Sequence, residues 1–99
     1  MGQIATDPVI VQYREQISDN DLKILEALNK RIKLVEKLKE YKESRGIDFV
    51  DPEREDWLFT YLARLNRGPI SNDGVREVFA AVLDVVKREI AARQDTVAK

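Results

Sequence analysis

Apolar residues recur along this chain at helical intervals. Ile10, Ile17 and Ile24 stand seven apart, and Leu25, Leu28, Ile32, Val35 and Leu38 keep spacings of three and four, which is the stripe of an amphipathic helix. A second stripe gathers Leu58, Tyr61, Leu62 and Leu65, and a third Val75, Val78, Phe79, Val82, Leu83, Val86 and Ile90. Gly and Pro fall at Gly2, Pro8, Gly46, Pro52, Gly68, Pro69 and Gly74, so residues 9–45, 53–67 and 75–99 are free of helix breakers. Three helices follow. The first is expected to start with Asp7 as N-cap and Pro8 in the first turn, where a missing N–H costs nothing, and to stop at Gly46. Residues 45–50 read as an extended connector, and Asp51-Pro52-Glu53 repeats the cap, proline and acid signature of a helix start. Residues 66–73 read as a second loop. Nothing alternates with the period of a strand, and neither an internal repeat nor a low-complexity segment interrupts the pattern. The expected class is all-α, with flexible residues 1–7, a helical domain over 8–94 and flexible residues 95–99.

A first helix over residues 8–45 would be about 57 Å long at ~1.5 Å per residue, roughly twice the diameter of a globule of this length. Two shorter helices cannot sheath its stripe. The expectation is therefore an intertwined homodimer in which each chain completes the other's core. The competing arrangement breaks the helix near Ser18-Asp19-Asn20-Asp21, all poor helix formers, and folds it back within one chain.

Composition narrows the chemistry. The 99 residues carry 17 Lys plus Arg against 18 Asp plus Glu, a net charge of −1, so no global field draws the chain to nucleic acid or to an anionic membrane. There is no Cys and no His, which removes thiolate nucleophiles, disulfides, Cys-based metal sites and the usual neutral-pH base. No cofactor or metal is expected. A hydrophobic share of 43% with 35% charged residues belongs to a folded chain with a charged surface. No basic region precedes an apolar stretch, and no run of eighteen apolar residues occurs, so the expected location is cytoplasmic. Met1-Gly2 with Thr6 fits the minimal myristoylation pattern, a match short enough to arise by chance.

The second half of the first helix is locally basic, with Lys30, Arg31, Lys33, Lys37, Lys39, Lys42 and Arg45 diluted by Glu36, Glu40 and Glu43. Most of these lysines read as a solvated face with weak helix-stabilising pairs. Arg31 and Lys42 differ, because eleven residues are close to three whole turns and set them about 20° apart around the axis and roughly 16 Å along it. Two long cationic side chains over that gap leave room for one small anion, as a carboxylate clamp requires. Arg14 lies about 100° off that face and ~25 Å away, so it can join such a site only from a partner chain. Asp51, Arg54 and Glu55 stand at i, i+3 and i+4 across the start of the second helix and project together.

Residues 13–25, YREQISDNDLKIL, then Asn29-Lys30-Arg31, Lys39-Glu40-Tyr41-Lys42 and Asp51-Pro52-Glu53-Arg54-Glu55 together resemble the all-helical chorismate mutase family, over roughly residues 10–90. The resemblance implies an intertwined three-helix dimer that converts chorismate to prephenate on the route to phenylalanine and tyrosine. It implies that Arg31 and the partner chain's Arg14 bind the two carboxylates and that Lys42 reaches the ether oxygen. Asp51 and Glu55 would orient the ring hydroxyl, supported by Arg54. The reaction is a unimolecular rearrangement that needs no nucleophile, metal or cofactor. One departure is plain: the family's ether-oxygen donor, Gln or Glu on the last helix, falls on Ile90, and the small polar residue one turn earlier falls on Val86. Glu89 is one residue off that slot and Gln94 one turn beyond it. Loss of such a donor typically costs about 10²–10³ in turnover, so the chain is expected to be a weak mutase alone, with DAHP synthase as the partner that short members of this family dock onto. Three readings compete: an isochorismate pyruvate-lyase, a mutase for an amino-substituted chorismate, and a non-catalytic helical dimer that regulates a partner.

Overall fold

The backbone of residues 7–98 and the side chains of residues 7–94 are described by a computed structural model. Three α-helices follow one another: α1, Pro8–Ser44; α2, Pro52–Leu65; and α3, Asn72–Ala98. Asp7 begins α1 as its cap, its Oδ1 accepting from the backbone N–H of Val9 at 2.9 Å and of Ile10 at 3.3 Å. Helix α1 runs on through Ser18-Asp19-Asn20-Asp21 without a break. Its end is a Schellman motif: Ile47 N–H donates to Lys42 O at 2.8 Å and Gly46 N–H to Glu43 O at 3.2 Å. That geometry puts Gly46 at φ 68°, a left-handed conformation a glycine adopts without a Cβ clash.

Helix α2 begins as the Asp-Pro signature indicates, with Asp51 Oδ1 accepting from Arg54 N–H at 3.1 Å. It ends at Leu65. The following loop is organised by Asn66, which donates from Nδ2 to Ile70 O and to Asn72 Oδ1, both at 2.8 Å, and accepts from Gly68 N–H at 2.9 Å. Helix α3 starts at Asn72, earlier than a loop over residues 66–73 would allow. Ser71 is the reason: its Oγ accepts from Gly74 N–H at 3.0 Å, and its carbonyl accepts from Val75 N–H at 2.9 Å. The Asn-Asp-Gly segment, turn-like by composition, is thereby a capped first turn, where an acid such as Asp73 also suits the helix dipole. Gly74 fits closely there, since a Cβ would meet the Ile70 side chain at 3.0 Å and displace it by a few tenths of an ångström.

The chain divides into two units, Met1–Arg31 and Ile32–Lys99. In the first, Tyr13, Ile17, Leu22, Ile24 and Leu25 are all exposed. In the second, α3 packs on α2, with the Arg76 guanidinium over the Phe59 ring at 4.5 Å, and the core is Val86, 3% exposed, and Ile90, 1% exposed. The end of α1 is tied to α3 by a forked ion pair, Arg93 Nε and Nη2 donating to the two carboxylate oxygens of Glu36 at 3.0 and 3.1 Å. That hydrogen-bonded carboxylate raises the pKa of Arg93 further. The segments expected to be flexible, 1–7 and 95–99, fall mostly outside the described residues, as does Met1-Gly2 with Thr6; within them Asp7 caps α1 and residues 95–98 continue α3.

Candidate active site

Six of the eight residues singled out in the sequence belong to the second unit: Lys42, Asp51, Arg54, Glu55, Val86 and Ile90. Lys42 stands in the last turn of α1, half-buried, and its Nζ donates to Phe49 O at 3.4 Å. The motif that ends α1 closes on Lys42's own carbonyl, so helix terminus and side chain are fixed by the same few residues. Lys39, one turn earlier, does not lie on a solvated face. Its side chain is only 21% exposed; its Nζ donates to Gln94 Oε1 at 2.6 Å and lies 5.4 Å from the centre of the Phe49 ring. Both lysines therefore gather around Phe49, one at its carbonyl and one near its ring.

At the start of α2, Asp51 is committed to capping. Arg54 lays its guanidinium over Trp57 at 4.0 Å, and Trp57 stacks on Tyr61 at 4.6 Å, a cation on an aromatic pair. Glu55 is half-buried and pairs with Lys87 of α3 at 2.5 Å. Val86 and Ile90 present the apolar surface their side chains predict, and they form this unit's core.

The first unit holds Arg14 and Arg31. Arg14 is exposed. Arg31 is half-buried, and its Nε is fully buried with no hydrogen-bond partner among the described residues. A buried donor left unpaired costs about 1–3 kcal/mol and more when charged, so such an atom marks a place where an acceptor belongs.

Sequence reasoning gives no site role to Lys39, Lys87 or Phe49, and names Gln94 only as lying one turn beyond the donor slot. Local spacing cannot reveal them, because each acts through a partner on another element. Among the described residues no group of three or more acidic side chains is placed to hold a metal ion, and no helix is long and apolar enough to cross a membrane.

Residues 13–90 match the family described as chorismate mutase type II. The chain belongs to that family. It is 29% identical over 75 residues to the bifunctional chorismate mutase/prephenate dehydratase of Pseudomonas aeruginosa, a match covering 71% of this chain and 20% of that protein. The chain thus spans about a fifth of the length of this curated relative. Among solved structures it is similar to chorismate mutase form I of Thermus thermophilus, with TM-score 0.76 and 26% identity over 78% of this chain and 96% of that one. Form II from the same organism shares the fold, with TM-score 0.78 and 24% identity over 83% and 93% of the two chains. The three-helix, all-α architecture is that of this family.

Proposed function

We propose that the chain is an isomerase, a chorismate mutase that rearranges chorismate to prephenate as a homodimer. The observation that carries this reading is the buried, unpartnered Nε of Arg31 in a chain of this family: a cation positioned without an acceptor suits a substrate carboxylate. The step breaks the ether C–O bond as a C–C bond forms, within one molecule and with no proton transferred. A catalyst for it must hold a flexible dianion in its reactive conformer and stabilise charge that develops on the ether oxygen.

In this reading Arg31 and the partner subunit's Arg14 take the two carboxylates by charge-assisted hydrogen bonds. Lys42, whose contact with Phe49 O is long at 3.4 Å, turns its ammonium to the ether oxygen at little cost. Glu55 accepts from the ring hydroxyl, Asp51 and Arg54 hold that end of the segment, and Val86 with Ile90, buried in the core, back the site instead of touching the ring. The donor absent at Ile90 is supplied by Gln94. Its Oε1 is held by Lys39, which leaves the amide N–H₂ as the free, oriented end of the group. No cofactor takes part.

A donor one turn beyond the family's slot is a poorer fit, so turnover alone is low and docking onto DAHP synthase raises it. The dimer acts in the cytoplasm. The test is to follow chorismate loss by absorbance with identification of the product, with and without DAHP synthase from the same organism. Prephenate is expected, faster with the partner. Release of pyruvate would instead make the chain a lyase, and binding without turnover would make it a regulatory module.

A further inference from the structure

Glu55 and Lys87 belong to different helices, and their side chains meet at 2.5 Å through Lys87 Nζ and Glu55 Oε2. A carboxylate carries two oxygens with about four acceptor positions. Lys87 engages one oxygen and leaves Oε1 to accept from something else. The pair as a whole is neutral, and this decides what that something is. A hydroxyl donates to Oε1 without bringing charge. An ammonium in the same place would be attracted by Glu55 and repelled by Lys87, two unit charges of opposite sign at similar distances whose effects largely cancel, so it would leave water with little return. Asp51, whose Oδ1 caps α2 by accepting from the backbone N–H of Arg54, keeps its charge whether or not Lys87 is present and so does not alter what Lys87 adds.

The geometry points to Lys87 as a specificity-determining residue: by pairing with Glu55 it makes that carboxylate an acceptor for a neutral hydroxyl and selects against a substrate that carries an ammonium at the same ring position. This rests on the proposed placement of Glu55 at the ring substituent and goes beyond it by assigning the substrate class to a residue outside the family's motif. Both side chains are partly exposed, Lys87 at 43% and Glu55 at 31%, so the discrimination is that of a partly screened charge pair.

The experiment compares kcat/KM for chorismate with kcat/KM for the analogue that has an amino group in place of the ring hydroxyl, in the full chain and in Lys87→Met and Lys87→Glu. Met keeps the stem length and the helix preference of Lys. Because each ratio is taken on one preparation, any unfolded fraction cancels from it. The unaltered chain is expected to prefer the hydroxyl compound, with that preference falling about threefold in Lys87→Met, the order of a partly screened charge interaction of about 0.7 kcal/mol, and further in Lys87→Glu. A ratio unmoved by either substitution while chorismate is still converted overturns the role of Lys87 and leaves the mutase reading standing. Absence of turnover of either compound by the unaltered chain removes both.

Discussion

A guanidinium nitrogen buried without a partner is costly unless something accepts from it, and among the described residues Arg31 Nε is in that position. Two consequences separate when the side chain is removed. Arg31→Ala should lower turnover at least about 10²-fold if the proposed charge-assisted contact to substrate is lost. Stability should hold, because an unsatisfied buried donor goes with it and Ala is the best helix former. Far-UV circular dichroism with a chorismate assay reads both at once; an unimpaired variant would take Arg31 out of the site. Gln94→Leu tests the other end: volume is kept, the amide donor is lost, and kcat should fall about tenfold or more while KM changes little. Unchanged kcat would assign Gln94 a structural role only. At this scale the sequence is informative wherever placement follows local spacing. Asp51, Arg54 and Glu55 share one helix start, and Arg31 and Lys42 one helix. It is silent on Lys39 and Lys87, which look like surface lysines until α3 brings Gln94 to the one and α2 brings Glu55 to the other.

Among the helices, the elements themselves are almost wholly legible, and so are the chemical reasons for their starts. Asp-Pro pairs precede both α1 and α2, and in each the Asp side chain caps the first turn. Asn72-Asp73-Gly74 misleads because its residue types favour turns and caps alike, and only the bond from Gly74 N–H to Ser71 Oγ tells which. Gly46 is the element-level feature closest to function. It holds φ 68° at the end of α1, and the motif it permits fixes the carbonyl of Lys42. A Cβ at Gly46 would touch nothing within 4 Å, so Gly46→Ala isolates the backbone penalty from any clash. That penalty is about 1 kcal/mol for an L-residue in the left-handed region. Denaturant unfolding should show a lower midpoint with an unchanged slope. A larger loss would mean that the connector is repacked, and no loss that the terminus unwinds freely.

Among its described residues, the first unit carries a stretch of helix that leaves Ile17 60%, Leu25 53% and Ile24 52% exposed. A single helix bearing such a stripe is marginal in water, and most helical stability comes from packing an apolar face. In the proposed homodimer a second copy of the chain would provide that packing, and symmetry would then supply two equivalent sites. If each site takes Arg14 from one subunit and Lys42 from the other, the two residues complement in trans. Arg14→Ala and Lys42→Ala should each be inactive alone. In a heterodimer of the two, one site receives both substitutions and the other receives neither. Random exchange makes half the dimers mixed, and each mixed dimer has one intact site of two, so activity should return to roughly a quarter of the unaltered level. Mass spectrometry establishes that subunits have exchanged. Exchange without recovered activity would place Arg14 and Lys42 on the same chain's site or Arg14 outside it, whereas recovery near a quarter is difficult to produce in any other way, because neither variant chain carries a complete set of cations by itself.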